Sequence, residues 1–129
     1  MEIGMRVILM LSLAFYLASA VYAIQGDAVY YPRPYTPSAC FQGQDKGQWV
    51  AGVRDELWGN RAACGRRYRV RCIGAAYGSK NPCKGGSVDV QVVDYCRAPC
   101  NGIINLSQDA FNRIANLDAG KIKVQFDQI

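Results

Sequence analysis

The residues that could carry chemistry in this 129-residue chain are few, and they are carboxylates rather than imidazoles. The sequence contains no histidine, which excludes mechanisms in which an imidazole activates a serine or cysteine nucleophile. Asp94 is the best-placed acid, because it ends a strand-like stretch and is followed by Tyr95 and Cys96. Glycoside hydrolysis normally requires two carboxyl groups, and no second candidate stands out. Asp94 is thus a vestigial catalytic candidate at most, and pairing with an arginine or capping of a turn is the alternative.

Cysteine is the other reactive residue type, and its number indicates structural use. An even number of cysteines in an exported chain predicts three disulfides, which removes thiolate chemistry. Zinc is the alternative, since the spacing of Cys96 and Cys100 would suit it, but the absence of histidine and an oxidising destination disfavour it. We therefore predict no metal and no cofactor. The pattern alone leaves the pairing open among Cys40, Cys64, Cys72, Cys83, Cys96 and Cys100.

Basic residues outnumber acidic ones, and the formal net charge is +5. Arg66, Arg67, Arg69 and Arg71 lie close together in the sequence and favour an anionic partner, such as an acidic glycan, a lipid headgroup or an acidic receptor patch. A solvated outer face of a sheet is the alternative reading. Nucleic acid is not an expected partner, because export would keep the two apart.

Aromatic side chains offer a second kind of binding surface. Tyr30, Tyr31, Tyr35 and Trp49 could stack on sugar rings. The alternative is that they form part of the core, as aromatic residues commonly do in small β domains.

The first 23 residues have the layout of a secretory signal. A short charged start precedes an apolar run over Val7–Ala20, which is too short for a spanning helix, and small residues allow cleavage after Ala20 or Ala23. A retained membrane anchor is the alternative. The remaining residues, 24–129, are predicted to be one secreted domain, a monomer without a transmembrane segment.

Periodicity in this domain predicts mainly strands. Apolar and polar residues alternate in several stretches, with Tyr68, Val70 and Cys72 on one face and arginines on the other. Three prolines in Pro32–Pro37 predict an exposed, stiff loop. Because strands from both ends of the chain flank one late helix, we expect a closed barrel. The predicted strands are Gly26–Tyr31, Gln48–Val53, Arg67–Cys72, Ser87–Tyr95 and Lys121–Phe126.

The one helix that the sequence predicts begins after Ser107, which is its N-cap, and should end at Gly120. Phe111, Ile114 and Ala115 form its apolar stripe. Ser107 also completes a glycosylation sequon that begins at Asn105, and a site so close to a helix start is often unmodified. Modification of Asn105 is therefore left open.

Several stretches together closely resemble the plant natriuretic peptides, which are also called EG45-like domain proteins. The similarity covers the whole predicted mature chain, and the block from Cys64 to Cys72 is the most specific part. The stretches are Ala28-Val29-Tyr30-Tyr31, Ser38-Ala39-Cys40, Ala63-Cys64-Gly65-Arg66-Arg67-Tyr68-Arg69-Val70-Arg71-Cys72, Val92-Val93-Asp94-Tyr95-Cys96 and Asn105-Leu106-Ser107 with Ala110-Phe111.

This resemblance implies a six-stranded double-psi β-barrel like the first domain of expansins, to which family-45 endoglucanases are also related. It further implies a secreted, mobile signal of the apoplast that acts on water and ion homeostasis, stomatal opening and growth through a cell-surface receptor. The signalling-active stretch of the family corresponds here to residues 34–66. By likeness to expansins, the disulfides would join Cys40 to Cys64, Cys72 to Cys83 and Cys96 to Cys100.

The chain also departs from its expansin and endoglucanase relatives. Their His-Phe-Asp motif corresponds here to Ile103, Ile104 and Asn105, so the acid has become an amide. Because an amide cannot donate a proton as a carboxylic acid does, we expect no hydrolase activity, even if Asp94 matches the aspartate that the family retains. The second, sugar-binding domain of expansins is not expected after Ile129. Binding or loosening of the cell wall, with an anionic wall polysaccharide as partner, is the alternative function.

Overall fold

The computed structural model describes residues 22–129, and over these residues the chain closes into a six-stranded barrel. The predicted signal segment lies almost wholly outside them, so the leader and its cleavage sites stay predictions. The strands are β1 (Ile24–Tyr31), β2 (Val50–Val53), β3 (Arg67–Ala75), β4 (Val88–Tyr95), β5 (Ile104–Ser107) and β6 (Ile122–Gln128). They are accompanied by helices α1 (Asp55–Trp58) and α2 (Gln108–Ile114) and by a 3₁₀ turn at Leu117–Ala119.

Around the barrel the strand order is β1-β5-β2-β4-β3-β6, and β6 pairs again with β1. β1 is parallel to β5 and β2 is parallel to β4, whereas the remaining contacts between neighbouring strands are antiparallel. Parallel neighbours require long crossover connections. The strands of each parallel pair, β1 with β5 and β2 with β4, are accordingly far apart in the sequence. The prediction of a double-psi β-barrel is confirmed.

The core fills the inside of this barrel with the side chains that alternation assigns to it. In β3, Tyr68 and Val70 are buried while Arg67, Arg69 and Arg71 are exposed. The fully buried side chains around them include Val90, Val92, Ile104, Leu106, Phe111, Ile122 and Phe126. The period of two thus reports correctly which face of the strands points inward.

Helix α2 begins where the sequence predicts but ends earlier. The Ser107 hydroxyl accepts a hydrogen bond from the Ala110 N–H at 3.1 Å, as an N-cap does. The helix ends at Ile114 rather than continuing to Gly120, because Ala115 is extended and forms a bridge with Cys83. The Lys84 N–H donates to the Ile114 carbonyl at 2.8 Å. The segment that carries Cys83 therefore satisfies a carbonyl group at the end of the helix.

Two short elements were not predicted. β5 contains only Ile104–Ser107 and is too short to show alternation beside the helix cap. α1 is a single turn between β2 and the left-handed Gly59. β5 depends on partners elsewhere in the chain, since it is held between β1 and β2.

The three disulfides join Cys40 to Cys64, Cys72 to Cys83 and Cys96 to Cys100. These are the pairs that the likeness to expansins implies. The first bridge fastens the loop between β1 and β2 to the segment that leads into β3, and the second ties β3 to the segment that ends α2.

The loop of residues 32–49, which we call the cover loop, lies over the outer side of the barrel. The Cys40 N–H donates to the Val93 carbonyl at 2.9 Å, and Val50 and Val93 are buried although they do not belong to the central core. At its far end, the Gln48 carbonyl accepts a hydrogen bond from the Ser107 hydroxyl at 2.6 Å. The proline-rich part is exposed as predicted, but Tyr35 is half-buried.

Within residues 22–129, no helix has the length and apolar character that crossing a membrane requires.

Replacing Ser107 by alanine should lower the free energy of unfolding by about 1–3 kcal/mol, because one buried hydroxyl both caps α2 and holds the cover loop. Chemical denaturation of the oxidised protein measures this loss. Ser79→Ala, at an exposed position, is the control and should change stability by less than about 0.5 kcal/mol. Equal stability of the two variants would contradict the double role of Ser107.

Replacing Arg33 by glutamine should lower the melting temperature at pH 7, because Arg33 forms an ion pair with Asp109 at 2.9 Å. Hydrogen bonds from Arg33 and then from Tyr35 lower the pKa of the Asp109 carboxyl. A lowered carboxyl pKa stabilises the fold above the unfolded value of about 3.9, and that stability is lost as the pH falls through the folded pKa. The difference between variant and parent should therefore disappear in acid, as thermal melts from pH 7 to pH 2 would show. A difference that persists at pH 2 would contradict this assignment.

Candidate functional site

Three outward-facing positions lie side by side on neighbouring strands of the barrel. Asn105 of β5 pairs with Gly52 of β2, and Gly52 pairs on its other side with Asp94 of β4. Residues paired in this way share one face of the sheet, so the amide and the carboxylate stand on either side of a position without a side chain. A Cβ at Gly52 would lie 3.4 Å from the Cβ of Asp94, so a larger residue would crowd the carboxylate.

Asp94 is fixed by backbone hydrogen bonds rather than by an arginine. Its Oδ1 accepts from the N–H of Ala39 at 3.1 Å and of Tyr95 at 3.0 Å. One oxygen of the Asp94 carboxylate therefore caps a turn, which is one of the two structural roles considered for this residue in the sequence analysis. The described residues give the carboxylate no ion-pair partner.

Tyr31 and Asn105 carry oxygens that are buried and unsatisfied. Among the described residues, neither the Tyr31 hydroxyl nor the Asn105 Oδ1 has a hydrogen-bond partner. Burial, and to a smaller extent Asp94 and Tyr35, raise the pKa of Tyr31 well above its ordinary value, so the phenol stays protonated. Buried polar atoms are normally paired, so these two oxygens have hydrogen-bonding capacity that the described residues do not use. We call Tyr31, Gly52, Asp94 and Asn105 the amide site.

One wall of the amide site is an arrangement that the sequence analysis missed. The Tyr31 and Tyr35 rings meet edge to face with centroids 5.3 Å apart. The Tyr35 hydroxyl donates to the Asp109 carboxylate at 2.7 Å and accepts from the Asp109 N–H at 3.2 Å. Arg33 donates twice to the same carboxylate, at 2.9 Å each. The signal in the sequence was weak, because these partners are more than 70 residues apart.

A second feature that the sequence analysis missed lies next to Asp94. The rings of Trp58 and Tyr95 stack with centroids 5.1 Å apart. The Tyr95 hydroxyl donates to the Asp55 carboxylate, and this hydrogen bond raises the pKa of Tyr95. An aromatic pair therefore stands where β4 ends.

The amide site can donate and accept hydrogen bonds, but it presents one carboxylate rather than two. Its four residues hold a phenol, an amide and the single carboxyl group of Asp94. Hydrolysis of a glycosidic bond needs one group that donates and one that accepts a proton. The arrangement is thus suited to binding. Among residues 22–129, no group of three or more histidine, cysteine or acidic residues is arranged to hold a metal ion.

The remaining residues named from the sequence fall in different places. Tyr30 points to the inner side, where its ring packs on Phe111 at 4.7 Å and its hydroxyl donates to the Leu117 carbonyl, so it is separate from Tyr31 and Tyr35. Arg67, Arg69 and Arg71 share the outer face of β3, and Arg66 precedes that strand.

The sequon at Asn105 lies inside the fold rather than on an exposed loop. Asn105 belongs to β5, its Oδ1 is buried, and Ser107 is fully buried with its hydroxyl engaged on both sides. Modification of Asn105, which the sequence leaves open, is made less favourable by these contacts.

Comparison with known proteins identifies the relatives of this chain. It is 55% identical over 123 residues to EG45-like domain containing protein 2 of Arabidopsis thaliana. The aligned region covers 95% of this chain and 94% of that protein. It is 45% identical to an EG45-like domain containing protein of Citrus jambhiri, over 99% of both chains.

Solved structures support the same fold. A mutant expansin of Clavibacter michiganensis in complex with cellohexaose superposes with a TM-score of 0.65 at 24% identity. The match covers 84% of this chain and 50% of the expansin, so the chain spans about half the length of that protein.

A family model described as lytic transglycolase matches residues 50–126, which run from the start of β2 into β6. Together with the two relatives, this match covers the barrel and the amide site. The chain belongs to the EG45-like domain proteins, a family built on the expansin-like double-psi β-barrel.

Proposed function

We propose that this chain is a secreted, non-catalytic signalling protein of the apoplast, which acts through a cell-surface receptor on water and ion homeostasis, stomatal opening and growth. Family membership supports this role, since the EG45-like relatives match nearly the whole chain. The sequence motifs given above also resemble those of the plant natriuretic peptides. The predicted signal segment and three disulfides suit an oxidising extracellular setting.

One observation carries the non-catalytic part of the proposal. Asn105 stands across Gly52 from Asp94, and the resemblance to family-45 endoglucanases assigns an acid to the position of Asn105. An amide accepts and donates hydrogen bonds but has no proton to deliver to a leaving group. The protein would therefore act by contact with a partner.

The cover loop supplies a surface for such a partner. Residues 42–45 and 47–49 are exposed, and the Cys40–Cys64 bridge limits how far this stretch can move. A receptor could read the loop in a fixed shape at a low entropic cost, because a constrained loop loses little freedom on binding. This loop begins the stretch that corresponds to the signalling-active part of the family.

The oxidised, refolded protein should increase the volume of plant protoplasts, whereas the reduced and alkylated protein should not, because the bridged loop shape would be lost. Time-resolved volume measurement with both forms tests this. Equal swelling by both forms would indicate a linear epitope within residues 34–66. Absence of swelling with the oxidised protein, verified for its three bridges, would contradict the signalling proposal.

Binding of a cell-wall polysaccharide at the amide site is a second candidate function. The unpartnered oxygens of Tyr31 and Asn105 favour it, because sugar hydroxyls would satisfy them. The fold shared with an expansin in complex with cellohexaose supports the same class of ligand.

Cellohexaose should bind the oxidised protein, and Tyr31→Phe should weaken binding roughly fivefold, since one hydrogen bond of about 1 kcal/mol is lost. Calorimetric titration measures this, and reducing-end assays should detect no cleavage. Tyr77→Phe is the matched control, because Tyr77 is 67% exposed and lies outside the amide site. Equal affinity of Tyr31→Phe and the parent would contradict a role for this hydroxyl.

A further inference from the structure

A separate concave surface, with a volume of about 500 Å³, lies away from the amide site and has a basic lining. Its charged residues come from three elements, β3, β4 and α2, and its aromatic residue ends the cover loop. We call it the arginine groove. It is lined chiefly by Trp49, Arg67, Arg69, Arg71, Asp89 and Arg113.

The charge of the arginine groove is only partly balanced. Arg69 forms a two-point pair with Asp89, at 2.9 and 3.1 Å. Within residues 22–129, the side chains of Arg67, Arg71 and Arg113 form no ion pair. Asp127 faces Arg69 from β6 but does not line the groove. Three guanidinium groups therefore remain available to an anion.

The backbone sets the spacing of these charges. Arg67, Arg69 and Arg71 alternate on one face of β3, which separates successive members by roughly 6–7 Å. Side chains of like charge repel at this distance, and the exposed face gains no core packing in return. A ligand with several negative groups along its length would relieve this repulsion.

Trp49 gives the groove a character that a simple basic patch lacks. Its side chain is 38% exposed, and the Arg113 guanidinium lies 5.8 Å from the centre of its ring. This contact with the ring holds an aromatic face next to the free arginines. An indole face beside cations is suited to a sugar ring that carries a carboxylate.

We propose that the arginine groove binds an acidic polysaccharide composed of uronate residues. The planar carboxylate of each uronate matches the fork of a guanidinium group, and the Trp49 ring would pack against a sugar face. The Trp49 ring favours a sugar polymer over a lipid headgroup, because it offers a ring face on which a sugar can pack. The proposal goes beyond the receptor and cellohexaose roles, because the arginine groove shares no residue with the amide site, and it relies only on the extracellular location.

The test uses the oxidised protein and de-esterified polygalacturonate, with the fully methyl-esterified polymer as the uncharged counterpart. The acidic polymer should bind and be released by about 0.5 M salt, whereas the ester should not bind. Arg67→Gln combined with Arg71→Gln should weaken binding at least roughly tenfold. Lys80→Gln combined with Arg97→Gln removes the same charge at exposed positions outside the groove and should change affinity less than about twofold.

Trp49→Ala separates a sugar site from a general site for anions. This variant should bind polygalacturonate at least about fivefold more weakly, with polyglutamate binding unchanged. Polyglutamate or phosphatidylserine vesicles that bind more tightly than polygalacturonate would overturn the proposal, as would an equal loss of affinity in the Arg67/Arg71 and Lys80/Arg97 double variants. Thermal melts verify that each variant is folded, and none of these measurements depends on protoplast swelling or on cellohexaose.

Discussion

Closure of the barrel is the constraint on which the placement of the strand residues in both candidate surfaces depends. Each strand is hydrogen-bonded on both sides, so a one-residue slip in any register would have to be matched around the whole ring. The ladder therefore fixes Asn105, Gly52 and Asp94 in one row and the arginines of β3 on one face. Neither surface relies on a mobile loop for the position of its strand residues.

The barrel could be predicted from the sequence where the pattern is local. Alternation in β3 identified Tyr68 and Val70 as buried, and Ser107 was recognised as a helix cap, because neighbours along the chain determine both features. β5 and the early end of α2 could not be predicted, since β5 depends on distant strands and the helix end depends on the segment around Cys83. The six-stranded double-psi β-barrel was implied by family resemblance rather than by periodicity, and the strand order comes from the structure.

The candidate sites show the same division. Tyr30, Tyr31 and Tyr35 were grouped as aromatic candidates, but Tyr30 faces inward onto Phe111 whereas Tyr31 packs against Tyr35. Asp94 was named separately as an acid, and its place beside Gly52 and Asn105 appears only in the folded chain. The contribution of Arg113 to the arginine groove was not predicted, because α2 reaches Trp49 only in the folded chain. Contacts between distant segments create these surfaces, and composition alone does not encode them.

Gln48 and Trp49 connect the cover loop to the arginine groove, and this connection has a thermodynamic consequence. The Gln48 carbonyl is held by Ser107 and its side chain by Arg33, and Trp49 follows directly. A ligand in the arginine groove that restrains Trp49 would also restrain the adjoining end of the cover loop, so binding in the groove and binding of a receptor to the loop would be linked. Because such linkage is reciprocal, a wall polymer that favours the receptor-bound loop must itself be held more tightly once the receptor is bound. The strength of receptor binding would then depend on whether the protein is bound to the wall polymer as well as on its concentration.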